Sequence, residues 1–474
     1  MKDRFLWIAA GSYATLFTVL GSLKYNVHRN LVDFGIFAQT TASAFGCFCN
    51  TVEGSHYAVH FSPVLYLAGA VVWLVRSPYT LIALQSVACA LVLPPVYALV
   101  RSSADQNIAR LAMLVALLYP ALAGLAFNDF HENDFAPAAV LWMLWAFDRG
   151  YVVATYLLAA LTLGVKEDQA VFLAVAGFLG YVRFRTTACG RVALIVCLAA
   201  SLVALQYFWF IQPTAAASSH WAPVRFYAWT SADVRQMFFA GISARLGFVL
   251  LAFLPLLFLP FRSRWMFVAA LPLAEVLLSR MPTTFTMGSH YAGAWIGWAL
   301  AAFAFAVRAL PERRARDSLR WCVAFCALEF LVANPLHPGL NLRGIEARDL
   351  RLDTAIASLP NDIAVSTQEE AYTHMAISNP NAGVLPELAS LPVKTPFVLI
   401  DGDFPDSPRL QEYARALHRP CFVPVRSIRS IVLYRTLCPV SKSSLRKPVA
   451  ARSGHPAAAA IVSDGAAHGA QRAV

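Results

Sequence analysis

Long apolar stretches alternate with short polar loops along most of the chain. A stretch of about 20 apolar residues is the length that an α-helix needs to cross the hydrocarbon core of a bilayer. The pattern predicts about eleven membrane-spanning helices, several of them short. They lie near residues 5–23, 79–99, 110–127, 134–148, 151–165, 168–182, 192–211, 241–260, 265–279, 289–309 and 319–334.

The composition agrees with a polytopic membrane protein. Hydrophobic residues make up 58% of the 474 residues and charged residues only 14%, and the mean hydropathy is +0.56. A water-soluble core cannot absorb so much apolar surface. The net charge of +11 does not indicate nucleic acid binding. Much of the excess lies in short loops between apolar stretches, where basic residues anchor helices on the inner side of a membrane.

The basic loops predict an orientation in a cell inner (plasma) membrane. With Lys2 and Arg4 on the cytoplasmic side, the arginine-bearing loops alternate correctly. These inner loops are 101–110, 149, 183–191, 262–264 and 308–320. The apolar stretch 61–75 is only about 15 residues long and would invert the pattern if it crossed, so we interpret it as juxtamembrane or re-entrant. The odd number of crossings then leaves the C-terminal region outside.

The composition changes after about residue 345, where polar residues and proline become more frequent. The segments 363–367 (IAVST) and 396–400 (PFVLI) have the pattern of short strands beside helical patterns. The predicted fold class is therefore an all-α polytopic membrane protein with a small extracytoplasmic α/β domain at the C-terminus. The predicted units are a transmembrane domain, 1–344, with a long first outer loop, 24–60, then the α/β domain, 345–439, and a disordered tail, 440–474.

The positions of the cysteines say little about disulfide pairing or metal binding. Cys421 and Cys438 could close the end of the outer domain as a disulfide, but their spacing alone does not establish the geometry. The Cys47-x-Cys49 pair is weak evidence for zinc because it lacks partners at zinc-finger spacing. The other cysteines lie in or beside apolar stretches, where buried thiols are the simpler interpretation: Cys89, Cys189, Cys197, Cys322 and Cys326.

The first candidate for chemistry is Asp33, in the sequence LVDFGIFAQ of the first outer loop. The apolar residues around it indicate a helix lying on the membrane, with one carboxylate near the interface. A desolvated carboxylate can act there as a general base or as a metal ligand. In the alternative interpretation, Asp33 is a solvated acid on the polar side of that helix.

The second outer loop, FNDFHENDFAP, brings Asp129, His131, Glu132 and Asp134 close together beside two apolar stretches. Ionisable groups at such a position are costly unless they are used or solvated. These residues either form part of a site or merely cap the next helix, with Asn133 or Asp134 as the N-cap. Carboxylates with an imidazole also suit a divalent cation, although the spacing is not diagnostic.

Two further polar groups lie at predicted outer helix ends. Glu167 and Asp168 follow Lys166 and either pair with the lysine or add carboxylates to the same cavity. Acids are also favoured at a helix N-terminus by the helix dipole. His290 and Tyr291, in MGSHYAG, could donate hydrogen bonds to a phosphate or a sugar hydroxyl, or could be structural.

Three outer arginines run against the charge bias: Arg225, Arg235 and Arg280. Guanidinium groups bind phosphates through paired hydrogen bonds. One of these arginines, Arg225 or Arg280 above all, could therefore meet a lipid-linked phosphate or diphosphate, the alternative being a solvated loop charge.

Several separated motifs occur in order along the chain: DFGIFAQ, HFSPVLYL with a following LQS, FNDFH, KED and HYAGAW. With PNDIAVSTQEEAYTHMA, which contains His374, they cover most of residues 1–439. In these motifs the chain resembles the membrane-protein family known as domain of unknown function twenty seventy-nine. That family is similar in layout to multispanning glycosyltransferases of the GT-C type, which use polyprenyl-phosphate-linked sugars.

The resemblance implies a site and a reaction. The implied catalytic groups are Asp33 with Asp134 or Glu132, with Asp33 as the best base candidate. Apart from the resemblance, His131 is a candidate substrate-binding group. The implied partners are membrane lipid and a polyprenyl-phosphate sugar, with a divalent cation as a possible cofactor. The chain departs from protein mannosyltransferases, which often carry an adjacent acidic pair where Asp33 stands alone. The second carboxylate would then come from 129–134, unless the chemistry differs.

Two other classes of function compete with a glycosyltransferase. A transporter or flippase of a cell-envelope precursor would require polar or broken helices near the bilayer centre and usually shows repeat symmetry. A non-catalytic assembly factor would use the outer domain to bind a partner in the cell envelope. The sequence does not identify the sugar, the acceptor or the oligomeric state.

Overall fold

The computed structural model describes residues 3–216, 235, 239, 241–333, 336, 343–385, 395–403, 415 and 421–437. The predicted disordered tail and Arg225 lie outside the described residues.

A helix occupies every apolar stretch that the sequence predicts to span the membrane. In chain order the helices are α1 (Arg4–Asn26), α2 (Val32–Ala42), α3 (Leu65–Leu74), α4 (Pro78–Ala90), α5 (Leu93–Arg101), α6 (Gln106–Leu118), α7 (Pro120–Phe127), α8 (Ala136–Asp148), α9 (Val152–Leu163), α10 (Glu167–Phe184), α11 (Ala188–Gln206), α12 (Gln212–Ala215), α13 (Ile242–Phe253), α14 (Met266–Leu278), α15 (Ala292–Arg308) and α16 (Glu312–Ala333). A π-helical turn, Tyr207–Ile211, joins α11 to α12.

Few of these helices are long enough to cross a bilayer alone. Among the described residues, three stretches meet that length and hydropathy: Arg4–Asn26, Pro78–Arg101 and Ala188–Ala215. A fourth candidate is the pair α6 and α7, which is bent by 48° where Pro120 begins α7. Proline forces the preceding residue out of the helical conformation, which explains the break. Eleven crossings therefore stay a prediction.

Ion pairs join several arginine-bearing loops at one end of the bundle, which we call the arginine end. The three pairs are Asp3–Arg110 at 2.8 Å, Asp105–Arg316 at 3.1 Å and Asp148–Arg308 at 2.9 Å. Each pair joins segments that the charge pattern assigns to the same side. The pairs therefore agree with the alternation of loops that the sequence predicts.

The short helix α3, within the stretch 61–75, stays at the opposite end. The backbone N–H of Val64 donates to the carbonyl of Gly164 at 2.7 Å, which ties the start of α3 to the end of α9. Gly69 of α3 lies against Ala44, after α2, so closely that a side chain would overlap it. Trp73 is largely exposed, as expected for a helix at an interface. This arrangement agrees with a segment that does not cross.

The C-terminal region forms a small mixed sheet with two helices, as predicted. Two strands in the first outer loop, β1 (Cys49–Asn50) and β2 (Gly54–Ser55), pair with each other. The elements of the C-terminal region are α17 (Ala347–Ala357), β3 (Val365–Thr367), α18 (Glu369–Met375), β4 (Ala382–Val384), β5 (Phe397–Asp401), β6 (Phe422–Ile428) and β7 (Ile431–Thr436). The strand order is β4-β3-β5-β7-β6, parallel across β4, β3 and β5 and antiparallel beyond. Strands β3 and β5 confirm the two strand predictions.

The C-terminal region shares a hydrophobic core with the first outer loop. Phe34 and Phe37 of α2 belong to the same buried cluster as Tyr372 of α18 and Val398 of β5. The Tyr372 hydroxyl donates to the Gln39 side-chain oxygen at 2.9 Å. The sequence predicts α2 as a helix on the membrane surface; the helix forms, but protein rather than lipid covers most of it, because α18 packs against it.

The structure describes a disulfide that the sequence analysis does not predict, while the pairing of Cys421 with Cys438 stays a prediction. Cys47 and Cys49 form a disulfide, which removes them as zinc ligands. Cys421 is also disulfide-bonded, while Cys438 lies outside the described residues. The cysteines of the apolar helices are free thiols, as expected: Cys89, Cys189, Cys197, Cys322 and Cys326.

Candidate functional site

Four segments distant in sequence bring ionisable groups together at the end of the bundle opposite the arginine end. Asp33 lies in the first turn of α2, and Lys166 is the N-cap residue of α10. The short 3-10 helix Glu132–Phe135 precedes α8, and His290 precedes α15. All four segments are helix ends, because charged groups are costly along the apolar middle of a membrane helix.

Asp33 is the most open acid of the cluster. Its side chain is 30% exposed, and its Oδ2 lies 3.9 Å from Nδ1 of His290. The surrounding protein raises the pKa of Asp33 to about 8, chiefly by desolvation and then by the carboxylates of Asp129 and Glu53. A carboxyl group with this pKa is poised to exchange a proton near neutral pH.

A second group, built on Glu132, lies beside His290. The rings of His131 and His290 stack with centroids 4.0 Å apart, and Nδ1 of His131 lies 2.7 Å from a Glu132 oxygen. The Lys166 ammonium lies 3.8 Å from the other oxygen. Burial alone would raise the pKa of Glu132, but His131 and Lys166 lower it below its ordinary value. Glu132 is therefore a buried, charged and paired group.

Asp134 has a capping role. The backbone N–H of His131 donates to Oδ2 of Asp134 at 2.8 Å, which closes a capping box around the 3-10 helix. Asp134 is completely buried. The sequence analysis offered Asn133 or Asp134 as the N-cap of the next helix, and this is wrong in detail: His131 is the N-cap of the 3-10 helix, with Asp134 at its third helical position, and Phe135 is the N-cap of α8. The capping box fixes the backbone conformation that places Glu132 near both His131 and Lys166.

The remaining acids of the second outer loop and of α10 are also paired. Asp129 accepts hydrogen bonds from Lys24 at 2.6 Å, from Asn30 at 2.7 Å and from the Leu31 backbone at 2.7 Å. These bonds hold the residues before α2 and therefore place Asp33. Asp168 lies 4.0 Å from Lys166.

Sequence analysis missed a row of imidazoles that leads into the cluster. Nδ1 of His60 lies 3.0 Å from Glu167, whose other oxygen accepts a 2.9 Å hydrogen bond from the Phe61 backbone. Ring centroids along the row His56, His60, His131 and His290 are 5.9, 6.4 and 4.0 Å apart. The signal was present as HYAVH in the first outer loop, where His56 and His60 are four residues apart.

Burial and neighbouring charges have opposite effects on the pKa values of the basic residues in the cluster. Burial would lower the pKa of Lys166, but Asp168 and Glu132 raise it above its ordinary value. At His60 the neighbouring Glu167 and Glu132 outweigh both burial and Lys166, so the pKa of His60 is raised. Lys166 is therefore cationic, and His60 gains a proton more readily than a free imidazole. Together they suit a site that receives a negatively charged group.

The remaining predicted site residues do not all lie in this cluster. Tyr291 borders the cluster, with its ring centroid 6.0 Å from the Lys166 ammonium. Arg280 lies in the bend after α14, and Arg225 is outside the described residues. In the part of the chain that the structure describes, no three possible ligands of this cluster come within 4.8 Å of one another. The predicted divalent cation at this site thus stays a prediction.

The fold and the cluster together define a class, a multispanning membrane protein with ionisable groups gathered at one end of its bundle. The structure is similar to that of ArnT from Cupriavidus metallidurans bound to undecaprenyl phosphate. The TM-score is 0.53 at 13% identity, over 91% of this chain and 98% of that one. The apo state of the same protein gives a TM-score of 0.51 at 13% identity, over 93% and 100% of the two chains.

The family model described as "Predicted membrane protein (DUF2079)" matches residues 25–345, and the chain belongs to this family. This assignment confirms the resemblance that the sequence motifs indicate. A comparison with curated proteins found no match.

Proposed function

We propose that the protein transfers a sugar from a polyprenyl-phosphate donor to an acceptor on the extracytoplasmic face of the cell inner membrane. The observation that carries this proposal is the partly exposed Asp33, which lies beside His290 and has a raised pKa, in a fold similar to that of ArnT. That neighbour was crystallised with undecaprenyl phosphate, which supports a polyprenyl lipid as the partner here.

The proposed reaction assigns Asp33 as the general base. Its carboxylate takes the proton from an acceptor hydroxyl, and the acceptor oxygen then bonds to the anomeric carbon of the sugar. The bond between that carbon and the lipid phosphate oxygen breaks, and the phosphate leaves with the bonding electrons. Preorganised positive groups stabilise charge that develops on a leaving group, and Lys166 and His60 are the nearby candidates for this role.

His131, Glu132 and His290 have a positioning role in this proposal. Glu132 is buried between His131 and Lys166, so it holds those two groups rather than meeting the substrate. His290 lies between Asp33 and His131. It can therefore orient the base or donate a hydrogen bond to the donor.

The membrane arrangement is also part of the proposal. We place the N-terminus in the cytoplasm, eleven helices across the membrane and the C-terminal α/β region outside. Lipid-linked donors suit this face, because nucleotide sugars are absent there. The ion pairs at the arginine end support placing these loops on one side of the membrane, and the excess of arginine in them supports the cytoplasmic side.

The test is transfer of radiolabelled sugar by purified protein in proteoliposomes, with a panel of polyprenyl-phosphate hexoses, pentoses and amino sugars as donors. Asp33→Asn should lower the transfer rate about 10²- to 10⁴-fold, the usual contribution of a general base. Asp362→Asn, which changes an exposed acid of the C-terminal region, is the matched control and should keep the wild-type rate. Absence of transfer by wild-type protein from every donor, or equal rates for Asp33→Asn and wild type, would contradict the proposal.

A further inference from the structure

A separate cluster of three side chains joins the first outer loop to the C-terminal region. His28 lies between α1 and α2, Asp353 on α17 and His374 on α18. One oxygen of Asp353, Oδ1, lies 3.3 Å from Nε2 of His28 and 3.1 Å from Nδ1 of His374. All three atoms lie within 4.8 Å of one another.

The hydrogen bonds of His374 determine which of its nitrogens faces Asp353 as an acceptor. Nε2 lies 3.0 Å from the backbone carbonyl of Tyr25. A carbonyl oxygen only accepts, so Nε2 carries the proton. In a neutral imidazole, Nδ1 then presents a lone pair to the Asp353 carboxylate at 3.1 Å. Two acceptors at that distance repel unless a proton or a metal cation lies between them.

The spacing suits a metal ion. Zinc binds imidazole nitrogen and carboxylate oxygen at about 2.0–2.2 Å, so two ligand atoms of a tetrahedral site are about 3.3 Å apart. The two contacts of Asp353, at 3.1 and 3.3 Å, match that edge. The rings of His28 and His374 stack at 3.8 Å with an angle of 25° between them. Nε2 of His28 also lies 3.4 Å from the Asp349 carbonyl, so metal binding requires the His28 tautomer that carries its proton on Nδ1.

The surroundings match those of a metal site. A metal-bound imidazole usually donates its other N–H to a carbonyl or carboxylate, which fixes the ring, and the Tyr25 carbonyl does this for His374. His28 adopts a left-handed backbone, φ 54°, a conformation that is costly for a residue with a side chain. Asp353 is 45% exposed while the side chains of His28 and His374 are buried. That open side gives water room to act as a fourth ligand.

We propose that His28, Asp353 and His374 bind one zinc ion that fastens the first outer loop to the C-terminal α/β region. Two imidazoles and one carboxylate form a borderline ligand set that suits zinc better than calcium or magnesium. The ion has a structural role and lies outside the cluster around Asp33. The inference is therefore independent of the proposed transferase activity.

The test is the zinc content of the full chain, purified in detergent with an affinity tag that contains no histidine. After treatment with EDTA, addition of zinc and removal of the excess, wild-type protein should hold about one zinc per chain. Asp353→Asn and His374→Gln should each lose at least about 80% of that content, since each removes one of three protein ligands. Asp403→Asn removes a carboxylate of the same region that pairs with Arg351, and it should keep the wild-type content.

Two further measurements separate loss of the ligand from loss of the fold. Zinc should raise the melting temperature of the EDTA-treated wild-type protein and of Asp403→Asn, but not that of Asp353→Asn. With cobalt in place of zinc, His374→Cys should restore binding and add a thiolate-to-metal absorption band that the wild type lacks. Wild-type protein that holds less than about a tenth of an equivalent and gains no stability from zinc would overturn the proposal. A proton would then bridge Asp353 and His374.

Discussion

At the scale of single residues, Asp33 differs from the other acids of the cluster in its freedom to react. Glu132 is held by His131 and Lys166, whereas the imidazole of His290 lies 3.9 Å from Asp33, beyond hydrogen-bond distance. A carboxylate that is already paired loses those contacts when it takes a proton. Asp33 can take and return one at little cost, which favours it as the base.

The raised pKa of Asp33 predicts a pH dependence for sugar transfer. The base form is the deprotonated one, so below a pKa of about 8 its population rises about tenfold per pH unit. Transfer should therefore accelerate as the pH rises from 6 and level off above about 8. The measurement is the single-turnover rate against pH with saturating donor. A rate that stays flat over this range would show that Asp33 is not the group that limits transfer.

Lys166 is predicted to matter for stability as well as for chemistry. It lies between the buried carboxylate of Glu132 and the partly buried carboxylate of Asp168, so Lys166→Met leaves them without their cation. Removing one partner of a buried ion pair costs about 3–5 kcal/mol, which heating in detergent followed by size-exclusion chromatography should detect.

The matched control for Lys166→Met is the double variant Glu132→Gln with Lys166→Met. It removes one of the uncompensated charges and should recover part of the lost stability. The single variant should also gain stability relative to wild type as the pH falls, because protonation neutralises the buried carboxylates. If the double variant is less stable than Lys166→Met, the pairing argument is wrong.

At the scale of elements, the position of α15 depends on glycine. A side chain at Gly293 would overlap the backbone carbonyl of Asn133 in the 3-10 helix before α8. Gly293→Ala should therefore push α15 and the 3-10 helix apart. The expected loss of stability is about 1–3 kcal/mol, accompanied by loss of transfer, because His290 and Glu132 would separate.

Gly11→Ala is the control for the Gly293 variant. Gly11 lies inside α1 with no atom near the position that a side chain would take, and alanine favours helix over glycine by up to about 1 kcal/mol. Its melting temperature should therefore stay the same or rise. Equal losses of stability in the two glycine variants would refute the packing explanation.

Much of the element pattern was predictable from the sequence, because it depends on local hydropathy. The apolar stretches predicted the helices, while the interpretation of 61–75 as a segment that does not cross stays a prediction. The stretch 241–260 was predicted too long, since α13 ends at Phe253. Pro255, which cannot continue a helix, was a usable signal for that end.

The arrangement of the site was only partly predictable, because side-chain partners depend on tertiary packing. Asp33, His131, Glu132 and His290 were candidates, and the structure brings them together. The pairing of Lys166 with Glu132 across two loops has no sequence signature. The packing of α18 against α2 has no sequence signature either, because it joins residues about 330 positions apart in the chain.

At the scale of the whole molecule, the membrane helices and the C-terminal region share one hydrophobic core at the end of the bundle that carries the candidate site. The buried cluster around Phe34 and Tyr372 contains residues of both, and Gln39 of α2 donates a 2.8 Å hydrogen bond to the Ala382 carbonyl. The first outer loop therefore has no complete core without the C-terminal region.

This shared core predicts that the two parts are unstable when separated. A chain ending at residue 344 should expose α2, aggregate in detergent and be cut by protease within 24–60. A chain ending at residue 439 keeps the whole sheet and should elute as the full chain does. Limited proteolysis with mass spectrometry is the measurement. Protection of 24–60 in the shorter chain would mean that the membrane helices hold this loop without help.

The ion pairs of the arginine end have a consequence for biogenesis. Arg110 follows its partner Asp3 by 107 residues, while Arg308 follows Asp148 by 160 and Arg316 follows Asp105 by 211. During synthesis, Asp105 and Asp148 are therefore made long before Arg316 and Arg308, the guanidinium groups that pair with them. The ion pairs of the arginine end can therefore be complete only after α15 and α16 have been synthesised.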